Sequence, residues 1–218
     1  MATGPALEAA NLEGPILEAI VLAAGSGSRF GGGKLTAAWD AGVLLEGARA
    51  AAFAAPVRSV TVVIGAEADA VSSAARAFDP RTVIVHAPDH AEGMGASLRT
   101  GIASLPADAD GVYVFLGDMP RVPAQVLPAM AQALVDGALA VAPTFGGRRG
   151  NPVLIDRTLF PQLLALTGDA GARGVLQDLG ERLVLIESPN DGVLFDVDEP
   201  GDLSTLTTAH PREDGDPG

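Results

Sequence analysis

An apolar run that ends abruptly in a glycine-rich loop constrains this chain more than any other stretch. Residues 16–23 are almost continuously hydrophobic, which is typical of a strand buried on both faces of a sheet. The following loop, residues 24–33, contains five glycines and Arg29, and Lys34 comes directly after it. Glycines let a backbone approach a ligand closely, and successive N–H groups in such a loop bind anions. The stretch therefore predicts a strand followed by a triphosphate-binding loop.

Two commoner glycine-rich loops do not fit the spacing. A Walker A loop needs a glycine six residues before the lysine and Ser or Thr after it, but this chain has Ser28 and Leu35 there. The dinucleotide fingerprint Gly-x-Gly-x-x-Gly, started at Gly25, has Phe30 in its last position. Lys34 is the only lysine beside thirteen arginines, which indicates that this position needs a compact ammonium charge. A flexible surface loop is the remaining alternative.

The rest of the chain alternates between strand-like and helix-like segments. Strands are predicted at residues 16–23, 59–64, 82–86, 111–116, 139–142, 183–187 and 192–197. Helices are predicted at residues 44–54, 66–77 and 123–134, from about residues 95, 173 and 200, and in a short segment before residue 166. This alternation favours right-handed βαβ units. We expect one three-layer α/β/α domain with a mostly parallel twisted sheet at residues 15–208, between disordered segments at 1–14 and 209–218.

Composition narrows the classes of function. The net charge is −13 and the isoelectric point is about 4.4, which opposes non-specific binding to nucleic acid. No apolar run approaches the roughly 18 residues of a membrane span, and the N-terminus lacks the basic start of a signal peptide. The absence of cysteine excludes disulfides, thiolate metal sites and a cysteine nucleophile. We therefore expect a cytoplasmic protein that binds neither nucleic acid nor a membrane.

Three aspartates are candidate metal ligands. Asp118 comes just after the strand at residues 111–116, where a carboxylate is costly unless it is paired or bound to a cation such as Mg²⁺. Asp196 and Asp198 lie on one face of a predicted strand, so they repel each other unless a cation lies near them. The residues predict a cation at Asp118 and favour one near Asp196 and Asp198, and which of these two carboxylates would be a ligand stays open. A turn or N-cap aspartate is the alternative interpretation of Asp118.

Three further loops carry candidate binding residues. Gly93 and Gly95 precede a predicted helix that contains Ser97, and a helix N-terminus favours anions and polar groups. Arg148 and Arg149 lie beside flexible glycines and suit bidentate contacts with phosphate, although a solvated surface loop has the same composition. Residues 166–174 open another helix with Thr, Asp and glycines.

The glycine loop also carries a family resemblance. Leu22-Ala-Ala-Gly-Ser-Gly-Ser-Arg-Phe-Gly, followed by Lys34-Leu35, resembles the signature loop of the molybdenum cofactor nucleotidylyltransferases. Its Ala-Ala-Gly form is similar to the cytidylyltransferase branch, whereas Phe30 replaces a usual Met. Further segments that resemble family motifs, in family order, are Gly-Met-x-x-Ser-Leu-Arg at 93–99, Leu-Gly-Asp-Met-Pro at 116–120, Gly-Arg-Arg-Gly-Asn-Pro at 147–152, Thr-Gly-Asp-x-Gly-Ala-Arg at 167–173 and Asp-x-Asp at 196–198.

The resemblance implies a Rossmann-like fold of the nucleotide-diphospho-sugar-transferase type and the transfer of CMP from CTP to molybdopterin, with release of pyrophosphate. It implies Mg²⁺ or Mn²⁺ as cofactor, and a molybdoenzyme or its chaperone as the recipient of the product. The implied catalytic residues are Arg29, Lys34 and Asp118, with metal ligands from Asp118, Asp196 and Asp198. The implied nucleotide-binding residues are Ala23, Ala24, Gly25, Ser26, Gly27, Gly93, Gly95 and Ser97. The implied pterin-binding residues are Arg148, Arg149, Asn151 (where the family has His), Thr167, Asp169 and Arg173.

Two other functions remain open at this point. A sugar-phosphate nucleotidylyltransferase uses a similar glycine loop, but the segments at residues 93–99 and 167–173 resemble the molybdenum branch more closely. A non-catalytic carrier of the molybdenum cofactor is a different class of protein. Lys34 and Asp118 weigh against a carrier, which has no need of a metal–triphosphate site.

Overall fold

A mostly parallel sheet forms the centre of the structure, a computed structural model that describes residues 14–77, 79, 81–168 and 171–207. Its strands are β1 Leu17–Ala23, β2 Ala38–Trp39, β3 Gly42–Val43, β4 Val60–Ile64, β5 Thr82–His86, β6 Gly111–Leu116, β7 Ala140–Phe145, β8 Arg148–Arg149, β9 Val153–Asp156 and β10 Leu183–Glu187. The helices are α1 Leu44–Ala54, α2 Ala68–Arg76, α3 Met94–Ala103, α4 Val126–Val135, α5 Phe160–Leu164, α6 Arg173–Leu179 and α7 Pro200–Thr207.

The strand order explains where a ligand can bind. The main sheet runs β10-β7-β9-β6-β1-β4-β5, with β8 paired to β7 and a separate β2–β3 hairpin. From β1 the chain passes to β4 and β5 on one side and then returns to β6 on the other, and all of these strands are parallel. Such a reversal opens a crevice beyond the carboxyl ends of the two strands where it occurs, here β1 and β6. The predicted α/β fold is confirmed.

Helices cover both faces of the sheet. Side chains alternate along β1, so that Ala19 and Val21 face one buried cluster and Ile20 faces the other. The first cluster includes residues of α1, α2 and α4, and the second includes residues of α3, α5 and α6. This arrangement is the predicted three-layer α/β/α architecture. Within the described ranges, no helix has both the length and the apolar character needed to cross a bilayer.

One predicted strand is wrong, and the sequence prediction lacks the short strands β2, β3, β8 and β9. Among the described residues, the segment 192–197 pairs with no other strand. Asp191–Val193 forms a 3₁₀ turn, and the irregular segment that follows it buries Val197. Its apolar alternation reflects packing on the core rather than pairing with a neighbouring strand. The sequence analysis also missed β8, the antiparallel β9 between β6 and β7, and the β2–β3 hairpin. Residues 1–13 and 208–218, which include the predicted disordered tail, lie outside the described residues.

Candidate functional site

A cavity of about 520 Å³ lies at the carboxyl ends of β1, β4 and β6. Its walls come from the loops after these strands and from the start of α3. The lining residues are Leu22, Ala24, Gly25, Ser26, Ala66, His90, Ala91, Gly93, Met94, Ser97, Leu116 and Asp118. Six of the predicted site residues therefore share one cavity: Ala24, Gly25, Ser26, Gly93, Ser97 and Asp118. Ala23 is buried in the last position of β1, immediately before this wall.

An ion pair joins the two loops that flank the crevice. The Nζ of Lys34 lies 2.7 Å from Oδ2 of Asp118, and only 12% of the Lys34 side chain is exposed. Asp118 is placed by the end of β6, where Gly117 donates its N–H to the carbonyl of Leu22. The space beside Gly117 is also tight, since an added Cβ would lie 3.0 Å from that oxygen. The fold therefore holds the ammonium group and the carboxylate in contact at the edge of the cavity.

Asp198 brings a third segment to this pair. Its carboxylate lies 3.7 Å from Nζ of Lys34 and 3.4 Å from the guanidinium of Arg29. The segment is anchored by a hydrogen bond from the Val197 N–H to the carbonyl of Asp118 at 3.0 Å. The Asp202 carboxylate accepts the N–H groups of Glu199 and Asp198, which lowers the pKa of Asp202 and fixes the start of α7. Arg29, Lys34, Asp118 and Asp198 thus form one charged cluster.

Asp196 adds negative charge to the same cluster. The residue is exposed overall, but partial burial of its carboxyl raises its pKa, and the charges of Asp118 and Asp198 raise it further. Asp196 and Asp198 flank the Val197 anchor, so both approach the Asp118 loop. Among the described residues, no group of three or more His, Cys, Asp or Glu side chains could hold a metal ion. Two carboxylates with phosphate and water oxygens are nevertheless the usual donors for Mg²⁺, so the residues fit a divalent cation.

The glycine loop divides into two parts with different hydrogen bonding. Phe30, Gly31 and Gly32 donate their N–H groups to carbonyls of the same loop, and Gly33 donates to the Glu67 carboxylate. Gly27, Gly31, Gly32 and Gly33 have positive φ angles, which only glycine adopts readily. Within the described residues, the N–H groups of residues 25–29 have no protein acceptor. The loop N–H groups that can bind an anion are therefore those of residues 25–29, and those of residues 30–33 are already used.

The start of α3 contacts a second predicted loop. Gly95 donates its N–H to the carbonyl of Gly168 at 3.1 Å, and a Cβ on Gly95 would lie 2.6 Å from that oxygen. Arg99 donates to the carbonyl of Leu166 at 2.7 Å. Thr167 is therefore held beside the cavity wall, and the exposed Arg173 begins α6 a few residues later. Asp169 lies outside the described residues.

The structure does not bring every predicted residue to the cavity. Arg148 and Arg149 are exposed on β8, and neither lines the cavity. Asn151 is half-buried and donates its N–H to the carbonyl of Val193, close to the segment that carries Asp196. The roles of these three residues remain predictions.

The sequence analysis missed His90 as part of the cavity wall. Its Nδ1 lies 3.0 Å from the carbonyl of Ala87, which can only accept, so Nδ1 donates this hydrogen bond. The ring packs on Gly65, where a Cβ would lie 2.7 Å from its Cγ and 2.6 Å from the carbonyl oxygen of Ala24. Gly65, directly after the β-branched strand β4, was the available sign of this close approach.

Comparison with known proteins identifies the family. Residues 19–183 match the family described as the MobA-like NTP transferase domain. This chain belongs to that family. Membership supports a transferase of the nucleotidyl class, which moves a nucleoside monophosphate from a nucleoside triphosphate to an acceptor.

Two curated relatives cover nearly the whole chain. The nicotine blue oxidoreductase of Paenarthrobacter nicotinovorans is 30% identical over 192 residues, which are 84% of this chain and 93% of that protein. The molybdenum cofactor cytidylyltransferase of Escherichia coli strain K12 is 25% identical over 191 residues, which are 87% of this chain and 94% of that protein. The family thus contains relatives whose names describe different reactions.

A solved structure agrees with the fold. The crystal structure of Rv0371c from Mycobacterium tuberculosis H37Rv superposes with a TM-score of 0.76 at 25% identity, covering 89% of this chain and 98% of that one. A second structure of Rv0371c, with a TM-score of 0.71, 24% identity and the same coverage, is a complex with manganese.

Proposed function

We propose that this protein is a cytoplasmic cytidylyltransferase that transfers CMP from CTP to the terminal phosphate of molybdopterin. The observation that carries the proposal is the contact between Lys34 and Asp118 at the edge of the cavity between β1 and β6. This contact places a compact cation and a carboxylate, the two groups that a metal–triphosphate needs, on loops of adjacent strands. The name of the Escherichia coli relative supports the choice of acceptor and base.

The proposed reaction is an in-line displacement at phosphorus. An oxygen of the molybdopterin phosphate forms a bond to the α-phosphorus of CTP, and the bond to the α,β-bridging oxygen breaks. Pyrophosphate leaves with that electron pair. A phosphate monoester has a second pKa near 6, so the nucleophile is already ionised at neutral pH and needs no general base. Catalysis then depends on positioning and on neutralising charge.

The charged cluster supplies that neutralisation. Arg29 and Lys34 bind the β- and γ-phosphates, and the N–H groups of residues 25–29 bind phosphate oxygens. Asp118 and one of Asp196 and Asp198 hold Mg²⁺ or Mn²⁺. The metal, when bound, supplies positive charge where negative charge develops on the transferred phosphoryl group. Asp118 contacts one cation, Lys34, whereas Asp198 contacts two, Arg29 and Lys34, so we propose Asp196 rather than Asp198 as the second metal carboxylate.

The two substrates occupy neighbouring surfaces. The wall formed by Ala23, Ala24, Gly93, Gly95 and Ser97 binds the nucleoside of CTP. The pterin lies against the adjoining loop that carries Thr167 and against Arg173 at the start of α6. The exposed Arg148 and Arg149 and the half-buried Asn151 contact its outer side. Asp169 is proposed as a further pterin-binding residue. The hydrogen bond between Gly95 and Gly168, which joins the two surfaces, supports this arrangement. The product passes to a molybdoenzyme or its chaperone.

A second candidate is an oxidoreductase, because the relative with 30% identity bears that name. The two reactions are separated by measuring pyrophosphate release with Mg²⁺ and molybdopterin for CTP, GTP, ATP and UTP, beside protein-dependent reduction of nicotine blue, the compound in that relative's name, by an added reductant. Release with CTP that depends on molybdopterin is the result we expect. Preference for GTP overturns the assignment of the base. Protein-dependent reduction of nicotine blue without pyrophosphate release overturns nucleotidyl transfer in favour of the oxidoreductase. Pyrophosphate release with sugar phosphates as acceptors points instead to the sugar-phosphate nucleotidylyltransferase. Binding of the pterin without pyrophosphate release points to the carrier.

A further inference from the structure

Glu67 contacts the glycine loop directly before Lys34. Its Oε1 accepts the backbone N–H of Gly33 at 2.6 Å, and it lies close to Gly32, where an added Cβ would be 3.4 Å away. Glu67 belongs to the loop after β4, whereas Gly33 belongs to the loop after β1. The same two loops are joined once more, by the N–H of Ala66 and the carbonyl of Ala24 at 3.2 Å.

The contacted stretch needs an external anchor. Gly31, Gly32 and Gly33 are three consecutive glycines with φ angles of 91°, 92° and 67°. Glycine loses more conformational freedom on ordering than any other residue, so three in a row hold one arrangement poorly by themselves. Gly33 is also the residue that precedes the 3₁₀ turn Lys34–Thr36, so its position sets where the Lys34 side chain begins.

The Glu67 side chain is directed to the glycine loop and not to the helix that follows it. It precedes α2 but makes no capping hydrogen bond to that helix. Its carboxylate also lies among N–H groups of a loop that otherwise suits anions, so it takes a donor that a phosphate oxygen could use. A negative charge is favourable at a helix N-terminus, and the hydrogen bond to Gly33 gives this carboxylate a further role in ordering the backbone next to Lys34.

We propose that Glu67 is a positioning residue that fixes Gly31–Gly33 and thereby directs Lys34 toward Asp118. The hydrogen bond to Gly33 also excludes the triphosphate from that N–H, which confines its phosphates to residues 25–29 and Lys34. The ordering of Lys34 is a property of the folded chain alone, whereas its consequence for the triphosphate rests on the proposed function.

Lys34 offers a direct probe, because it is the only lysine of the chain. The rate at which an N-hydroxysuccinimide ester acylates Lys34 is measured by mass spectrometry in the wild type, Glu67→Ala, Glu67→Gln and Asp69→Ala. Glu67→Ala is expected to raise the acylation rate about tenfold. A hydrogen bond to an ionised acceptor favours the ordered conformation of Gly31–Gly33, in which Lys34 contacts Asp118, by about one order of magnitude. Glu67→Gln keeps an acceptor oxygen and is expected to restore most of the protection. Asp69→Ala removes a carboxylate from the first turn of the same helix and leaves the rate unchanged.

Equal acylation rates in wild type and Glu67→Ala overturn the proposal, and so does a Gln variant as reactive as the Ala variant. Hydrogen exchange of the Gly33 amide in the wild type needs no variant. We expect it to be at least about tenfold slower than in an unstructured peptide, and free exchange overturns the hydrogen bond. For the triphosphate, Glu67→Ala is expected to weaken binding of Mg-CTP about tenfold and to leave binding of CMP unchanged. A wild type that binds no nucleotide but shows the acylation pattern contradicts the proposed function and leaves the role of Glu67 intact.

Discussion

The ammonium group of Lys34 lies 2.7 Å from the carboxylate of Asp118, although 84 positions separate the two residues along the chain. The contact exists because β1 and β6 are neighbouring parallel strands, so the loops that follow them meet at one edge of the sheet. Asp198 reaches the same pair from the segment before α7. Three distant parts of the sequence thus form one charged cluster beside the cavity.

Removing either member of this pair is expected to disable catalysis. Lys34→Ala and Asp118→Ala should each lower kcat/KM for pyrophosphate release by roughly 100-fold or more, which is the loss typical of one preorganised electrostatic group. Lys34→Arg is the matched control: it keeps the charge but replaces a compact ammonium group with a planar fork, so it should fall between the wild type and Lys34→Ala. Near-wild-type turnover in either Ala variant contradicts the assignment of that residue.

Metal dependence should distinguish the roles of Asp196 and Asp198. EDTA is expected to abolish pyrophosphate release, and added Mg²⁺ or Mn²⁺ should restore it. Asp196→Asn should raise the Mg²⁺ concentration needed for half-maximal rate by about tenfold or more, because a metal carboxylate is lost. Asp198→Asn, which removes a partner of Arg29 and Lys34, should raise KM for CTP instead. The opposite pattern would show that Asp198 is the metal ligand.

Acceptor binding should depend on the exposed arginines. Arg148→Ala, Arg149→Ala and Arg173→Ala are each expected to raise KM for molybdopterin several-fold, since a charge-assisted contact is lost, and to leave KM for CTP unchanged. Arg157→Ala is a suitable control, because Arg157 pairs with Asp110 at the opposite edge of the sheet. An unchanged KM for molybdopterin in all three variants places the pterin elsewhere.

Stability should depend on an ion pair far from the site. Glu18 is 1% exposed on β1 and pairs with Arg58, which also pairs with the exposed Asp108. Arg58→Ala leaves the buried carboxylate of Glu18 without its arginine partner, so it should lower Tm several times more than Asp108→Ala does. Arg58 holds the pKa of Asp108 below its usual range, so the smaller contribution of Asp108 is present above its ordinary pKa. That contribution should disappear as pH falls through the lowered value, and equal Tm changes in both variants contradict this account.

Much of the fold followed from local pattern. Continuous apolar runs flanked by glycine or proline located β1, β4, β5, β6 and β10 within a residue or two, and α1 has the predicted bounds. Their order implied the parallel sheet and hence the edge where Asp118 and the glycine loop meet. The antiparallel β9 could not be predicted, because its four residues gain stability only from pairing with β6 and β7. The segment 192–197 was misassigned because buried Val193 and Val197 mimic a strand.

The site was predictable where a motif carries its own chemistry. Lys34 and Asp118 stood out as a unique lysine and as a carboxylate after a buried strand. His90 and Glu67 did not, because neither has a local sequence pattern and both act through tertiary contacts with Gly65 and Gly33. The hydrogen bonds of the glycine loop could not be predicted from the sequence either. Its five glycines predicted one continuous anion-binding loop, whereas hydrogen bonds within the loop leave the N–H groups of residues 25–29 for an anion.

The most direct test of the central claim follows the phosphorus atoms of CTP. The protein is incubated with Mg²⁺, molybdopterin and CTP labelled at either the α- or the γ-phosphorus, with Lys34→Ala as control. We predict that the α-label enters the pterin product and the γ-label enters pyrophosphate, both much more slowly in the variant. An α-label that never reaches the pterin, or a γ-label found on it, contradicts cytidylyl transfer.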